Sequence, residues 1–302
     1  MKRDLTSFAV WSKDDLLGIL EEAKKLKSQS ATTRSLDQKS VAMIFEKESL
    51  RTRVSFEVGI AQLGGHPIFL QQETIGIATR ESVHDIATVL SRYNQIIVAR
   101  TSKHATLIQL AESADVPVIN AMTDLVHPCQ ILADVLTLQE VNRFSASTKV
   151  VFVGTGNNIV NSWLEFAEKV PMHFVAAVPA GHEPHPQILE QARAGTRGSV
   201  EVLNDPAKAV QDADVVYTDL WPAGDSDGSV STQLLFRPFQ VNASLLRLAK
   251  PDCIVMHRLP AKRGEEITRE VIDGKQSIVL QQAENRLHVH KAILTYLLRH
   301  SS

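Results

Sequence analysis

KESLRTRVSFE, residues 47–57, sets two guanidinium groups, Arg51 and Arg53, one residue apart among the hydroxyls of Ser49, Thr52 and Ser55. The stretch follows an apolar run and opens an amphipathic one, so it reads as a helix start after a strand. Backbone N–H groups at a helix start lack intrahelical acceptors and carry the positive end of the dipole, which suits an anion. The planar fork of Arg51 matches two oxygens of a phosphate. Two purely structural readings compete. Ser49 is a good N-cap type and serves a helix without any ligand. Arg53 stands four residues before Glu57, the spacing of an intrahelical ion pair.

Four more stretches have chemical content. DLVHPCQILAD (124–134) places His127 before Pro128, a residue suited to a first helical turn, with Gln130 close behind. A histidine and an amide converging at a helix entrance suit polarisation of a carbonyl oxygen. A histidine that caps or packs is the competing reading. MHRLPAKRGEEIT (256–268) follows another apolar run, and Pro260 keeps Leu259 out of a helix and its carbonyl exposed. Arg286 in QQAENRLHVHKA (281–292) sits at a helix beginning, where an inward arginine meets an anion. Arg100–Thr101 closes a strand, and open α/β sheets bind ligands outside the carboxyl ends of their strands.

The elements that must position these residues alternate along the chain. Short apolar runs predict strands at 40–46, 67–71, 95–100, 116–120, 149–154, 172–178, 200–203, 214–219 and 253–257. Amphipathic periodicity predicts helices at about 13–27, 51–63, 82–92, 104–113, 128–143, 158–169, 186–195, 242–248 and 281–299. Several strands are continuous Val/Ile-rich runs, as parallel strands covered on both faces require. The fold class is α/β, with two doubly wound parallel-sheet domains. RFSAST (143–148) breaks the pattern and marks the boundary between domains at 1–143 and 148–280. The last helix, 281–302, is expected to pack back on the first domain through Leu287, Ile293, Leu294 and Leu297. WPAGDSDGSVSTQ (221–233) reads as a long loop of the kind that is often functional.

A chain of 302 residues suits two domains of ordinary size, and its 44% hydrophobic and 22% charged content is globular. A net charge of −2 carries no nucleic-acid footprint. Cys129 and Cys253 form neither a disulfide framework nor a zinc signature, so a reducing compartment fits. The first residues have a basic start without an apolar core, and no run is long enough to span a bilayer. The expectation is a soluble cytoplasmic protein that engages neither nucleic acid nor membrane.

Taken in order, the motifs resemble the aspartate/ornithine carbamoyltransferase family, and its ornithine branch most closely. FEKESLRTRVSFE resembles the carbamoyl-phosphate signature of that family. VLSRYNQIIVARTSKH, VPVINAMTDLVHPCQILADVLTL, GTGNNIVNSW, HRLPAKRGEEIT and QAENRLHVHKAIL follow as ornithine-branch landmarks over nearly the whole chain. The resemblance implies a first domain that holds carbamoyl phosphate and a second that holds the amine acceptor. It also implies a homotrimer, or a multiple of trimers, and a reaction with no metal and no cofactor. By motif match, Ser49, Leu50, Arg51 and Thr52 hold the phosphate, Leu50 through its backbone alone. Arg100, His127 and Gln130 hold the phosphate edge and the carbamoyl group, and Arg286 completes the anion site. Arg51, Arg100, His127 and Gln130 are the implied catalytic residues. Asn158, Asp219, Arg258 and Leu259 are the implied acceptor-binding residues.

The chain departs from the family pattern mainly on the acceptor side. Leu50 replaces the usual threonine. Arg258 replaces the cysteine of His-Cys-Leu-Pro, and a permanent cation there disfavours a protonated diamine and attracts a carboxylate. Asp219 is retained, but the Ser-Met-Gly that normally follows is replaced in DLWPAGDSDG, and Arg258 has the reach to pair with Asp219. The loop QETIGIATRES is long, and Arg80 occupies the basic position that reaches a neighbouring subunit in relatives. Three other readings accompany ornithine as acceptor: a carboxylate-bearing amine such as an acylated ornithine, a non-catalytic phosphate-binding homologue, and a nicotinamide oxidoreductase. The last rests on GTGNNI (154–159) alone, where Ile159 stands at the third glycine position.

Overall fold

The computed structural model describes residues 2–28, 33–77, 79–222 and 231–300. The chain divides into two compact units, residues 1–136 with 284–302, and residues 137–283.

The first unit runs α1 (Lys13–Ser28), β1 (Ser40–Phe45), α2 (Leu50–Gln62), β2 (His66–Gln71), α3 (Gln72–Ile75), α4 (Val83–Tyr93), β3 (Ile96–Arg100), α5 (His104–Ser113), β4 (Val118–Met122) and α6 (Pro128–Glu140). All four strands are parallel, in the order β2-β1-β3-β4. β1 is buried from Val41 to Phe45 because helices cover both sheet faces, which is why its sequence is a continuous apolar run. The chain winds from β1 out to β2, then returns to β1's other side as β3. Strand order therefore reverses between β1 and β3, where Phe45 lies opposite Arg100. That reversal opens a crevice at the strands' carboxyl ends.

The second unit runs β5 (Lys149–Val153), α7 (Asn158–Lys169), β6 (His173–Ala177), α8 (Pro186–Gly195), β7 (Ser199–Leu203), α9 (Pro206–Ala209), β8 (Val215–Thr218), α10 (Ser231–Phe236), α11 (Ala243–Leu246), β9 (Ile254–His257) and α12 (Arg269–Ile272). Its five strands are parallel in the order β7-β6-β5-β8-β9. Alternate residues serve opposite faces. Val151 and Val153 join Val216, Val255 and Ile267 in one core, while Phe152 packs on Tyr217 at 5.5 Å on the other face. Here the order reverses between β5 and β8, with Val153 opposite Thr218.

The final helix, α13 (Val279–His300), starts in the second unit and ends in the first. Polar links that hold its later part to the first unit include Lys27 to the Asn285 amide oxygen, Ser35 to Thr295, and the Tyr296 hydroxyl to Asp15. Arg3 grips the same Asp15 carboxylate with two bonds of 2.8 Å and lies over the Trp11 ring. These bonds hold Asp15 well below the usual carboxylate range, with Arg3 as the largest cause.

Three sequence expectations need adjusting. Arg286, expected at a helix beginning, lies past the first turn of α13, because that helix already starts at Val279. α6 ends at Glu140 rather than 143, because Asn142 takes a left-handed φ of 55° and the Arg143 N–H folds back onto the Leu138 carbonyl. Of the expected loop at 221–233, residues 223–230 lie outside the described residues, and 231–233 already belong to α10. The short α3, α9, α10 and α12 went unpredicted because four to six residues cannot establish a helical period. Among the described residues, no helix is long and apolar enough to cross a membrane.

Candidate active site

The first unit gathers its polar residues where β1 and β3 end. Ser49 is the N-cap of α2, extended at φ −161°, and its hydroxyl accepts from the Thr52 N–H at 3.4 Å. Leu50 opens the helix, so its N–H has no intrahelical acceptor, and its side chain is 73% exposed. The position thus offers backbone to a ligand and keeps its apolar group out of the way. Thr52 is buried, and its hydroxyl oxygen accepts from Arg286 of α13. Accepting there leaves the Thr52 O–H as a donor for a further oxygen. Arg53 follows the structural reading: its Nε is 3.0 Å from Glu57, and its guanidinium lies 3.6 Å over the Phe69 ring.

Arg100 terminates β3 one strand away. The Glu46 N–H donates to its carbonyl, and the Glu46 carboxylate takes the Ser102 N–H, so the two strand ends are cross-linked. After β4, buried His127 precedes Pro128 and α6. Gln130 is buried as well, and its Nε2 donates to Asp134 at 2.8 Å. That bond fixes the amide orientation, and its Oε1 is buried without a hydrogen-bond partner. Gln130 therefore presents an acceptor, which suits an N–H of a ligand amide, whereas polarising a carbonyl oxygen needs a donor. Cys129 lies between them, fully buried, with its Sγ–H donated to the Asn120 carbonyl. Burial pushes its thiol up to about 12, and the nearby Arg286 charge only partly offsets this. A thiol held so firmly protonated is no nucleophile.

The second unit gathers a carboxylate and its partners at the β5/β8 reversal. Asp219 follows β8 and is 1% exposed. Its Oδ2 accepts from Arg258 Nε at 2.6 Å and from Asn157 Nδ2 at 3.0 Å, while Oδ1 is buried without a partner. The Arg258 side chain is 18% exposed. Asn157 also caps α7, accepting from the N–H groups of Ile159 and Val160. Asn158 is the first residue of that helix and is buried. Leu259 sits in a left-handed conformation, φ 58°, costly for a branched side chain and therefore imposed by its surroundings. His257 supplies part of the constraint: its Nδ1 accepts the Leu259 N–H at 2.9 Å. The proton of a neutral ring is then on Nε2, donated to buried Glu266 at 3.0 Å.

GTGNNI is not a dinucleotide cradle. A Cβ on Gly156 would lie 2.3 Å from the Glu183 carbonyl carbon and the Pro184 nitrogen. The glycine admits the chain's own backbone where a pyrophosphate would need to sit, and the Asn157 side chain occupies two helix-start N–H groups. Among the described residues, no group of three His, Cys, Asp or Glu side chains is placed to hold a metal ion.

Sequence reasoning singled out Asn158 but passed over Asn157, its neighbour, although Asn is a preferred N-cap type. It also passed over the His257–Glu266 pair and the contact of His290 with Ser55. The His290–Ser55 contact joins residues 235 apart, and the His257–Glu266 pair spans 9 residues across a loop, which matches the period of neither a helix nor a strand.

Known proteins resemble the chain along its whole length. Residues 3–140 match the carbamoyl-P binding domain of the aspartate/ornithine carbamoyltransferase family, and residues 146–297 match its Asp/Orn binding domain. The ornithine carbamoyltransferase of Chlorobaculum tepidum is 48% identical, over 99% of this chain and 90% of its own. That of Pyrococcus abyssi is 46% identical, over 98% and 96%. Among solved structures, ornithine carbamoyltransferase from Pyrococcus furiosus superimposes with a TM-score of 0.94 at 45% identity, covering 97% of this chain and 96% of that one. The Thermus thermophilus enzyme does so with a TM-score of 0.91 at 41% identity, covering 99% of each. This chain belongs to the aspartate/ornithine carbamoyltransferase family, in its ornithine carbamoyltransferase branch.

Proposed function

We propose that the chain transfers the carbamoyl group of carbamoyl phosphate to the side-chain amine of ornithine, giving citrulline and phosphate, in the biosynthetic direction that leads to arginine. The observation that carries this reading is the start of α2, capped by Ser49, closed by the Arg286–Thr52 bond and set beside Arg100 at the β1/β3 reversal. Backbone N–H groups at 50 and 51, the Thr52 O–H and the guanidinium groups of Arg51, Arg100 and Arg286 form an anion cradle of the kind a phosphate needs, while the Thr52 N–H is taken by the Ser49 cap. His127 and Arg100 address the carbamoyl oxygen, and the Gln130 Oε1 accepts from the carbamoyl N–H. The neutral amine attacks the carbonyl carbon, the carbon–nitrogen bond forms, and the tetrahedral oxyanion is held by donors from Arg51, Thr52, Arg100 and His127. The carbon–oxygen bond to phosphate then breaks, the nitrogen passes its proton to an oxygen of the departing phosphate, and the arginines neutralise the remaining phosphate charge. Positioning supplies the rest of the acceleration, and no covalent intermediate is required.

Asn158, Asp219, Arg258 and Leu259 form the acceptor side. Asp219 Oδ1 is the buried acceptor that an amine N–H satisfies. A carboxylate-bearing amine is the second reading, favoured by Arg258 at that site. The enzyme acts as a homotrimer or a multiple of it, with Arg80 reaching a neighbouring copy. The exposed Leu50, Val54 and Val58, spaced four apart on α2, are an apolar stripe for another subunit to cover. The free, buried Cys129 and Cys253 fit a reducing cytoplasm. A panel of ornithine, acylated ornithines, aspartate and putrescine, assayed for phosphate release, tests the reading. Turnover confined to ornithine supports it, and turnover confined to another amine transfers the assignment to that acceptor.

A further inference from the structure

α13 reaches the phosphate cradle twice. Arg286 donates to Thr52. One turn later, His290 Nδ1 lies 3.0 Å from Ser55 Oγ. Ser55 Oγ is also 2.6 Å from the Arg51 carbonyl oxygen and 3.2 Å from that of Thr52. Both carbonyls only accept, so the single Ser55 proton points at the backbone. The hydroxyl oxygen is then the acceptor for His290, and His290 carries its proton on Nδ1. A directed chain results: His290 Nδ1–H to Ser55 Oγ, and Ser55 O–H to the carbonyl of Arg51.

The ring is fixed on its faces too. It stacks on Phe56 at 3.7 Å and 10° between planes. It is fully buried, and its Nε2 has no hydrogen-bond partner. Burial, with the Arg286 charge as a smaller cause, holds the imidazole well below its usual range, so it is neutral. A neutral ring of one tautomer, gripped on a face and at one nitrogen, is a rigid post. It bears on the carbonyl of Arg51, the residue placed at the centre of the cradle.

We infer that His290 is a positioning residue for carbamoyl phosphate, setting the first turn of α2 through Ser55. The inference rests on the reading of that turn as the phosphate cradle. Ser55→Ala and His290→Phe both remove the bonded link, and phenylalanine keeps a ring against Phe56. His290→Asn returns an N–H near the Nδ1 position.

The test is steady-state kinetics with each substrate varied in turn, together with thermal midpoints and an Arg51→Ala control. The expected result is a carbamoyl-phosphate KM raised about tenfold in Ser55→Ala and His290→Phe, the loss of roughly 1.4 kcal/mol. The acceptor KM stays within about twofold, and His290→Asn recovers most of the loss. An unchanged carbamoyl-phosphate KM in Ser55→Ala overturns the inference, as does His290→Asn behaving like His290→Phe. If Arg51→Ala also leaves carbamoyl-phosphate binding intact, the cradle reading itself fails, a result distinct from failure of the His290 link alone.

Discussion

Replacing Arg258 with cysteine perturbs the acceptor side in a way whose sign follows from geometry. Arg258 Nε lies 2.6 Å from Asp219 Oδ2, and Asp219 Oδ1 is buried without a hydrogen-bond partner. An amine held on Oδ1 stands roughly 5 Å from the guanidinium, where a unit charge disfavours the ammonium form by about 3 kcal/mol at an effective dielectric near 20. With half of this lost to screening, about 1.4 kcal/mol remains, or about one pKa unit for the bound amine. Only the neutral amine attacks. A cation beside it lowers the amine pKa, so the wild-type rate persists to lower pH. In Arg258→Cys the carboxylate acts without its counter-charge, the ammonium form is favoured, and the acid limb moves up by about one unit. Single-turnover rates against pH, at saturating ornithine and carbamoyl phosphate, report this limb without interference from product release. Arg258→Lys keeps the charge and should hold the limb near wild type. Removing the partner of a buried carboxylate costs up to about 3–5 kcal/mol of stability, so thermal midpoints are measured first. A folded Arg258→Cys enzyme with an unmoved acid limb refutes the reasoning, and so does Arg258→Lys shifting as far as the cysteine variant.

Three further outcomes follow from the geometry. Arg286→Ala removes both a guanidinium and the donor to Thr52, and calorimetry should show carbamoyl-phosphate affinity down by about 10²-fold, the worth of a charged hydrogen bond near 3 kcal/mol. Cys129→Ala should keep kcat within about twofold, and wild-type Cys129 should resist alkylation at pH 8 while folded, because its thiol is pushed up to about 12. Gly156→Ala drives a Cβ to 2.3 Å from the Glu183–Pro184 backbone, and urea unfolding should show a loss of about 1–3 kcal/mol or more.

The sequence was most informative where physics is local. Uninterrupted apolar runs such as SVAMIF marked the buried parallel strands, and the spacing of Arg53 and Glu57 marked their ion pair. Helix starts at His104, Pro128, Asn158 and Pro186 were legible from periodicity and from proline placement. Strand order was not, because pairing β1 with β3 and β5 with β8 is a long-range choice that no window of sequence contains. The same limit hid the bonds that define the candidate site. Arg286 to Thr52 and His290 to Ser55 each span more than 230 residues. Arg258 to Asp219 spans 39, and was anticipated only because Arg258 departs from the family pattern and the retained Asp219 stands just before a second departure. The orientation of the Gln130 amide depended on Asp134, one helical turn on, so its role as acceptor rather than donor became visible only in the fold.

The central claim is transfer of a carbamoyl group to ornithine from a phosphate held at the start of α2. Citrulline formation from isotopically labelled carbamoyl phosphate and ornithine, measured for the wild-type chain beside Arg51→Ala, tests it directly. Labelled citrulline and an equal amount of phosphate from the wild type, with both lost in a folded Arg51→Ala variant, is the predicted result. No citrulline from the wild type, or undiminished citrulline from Arg51→Ala, contradicts it.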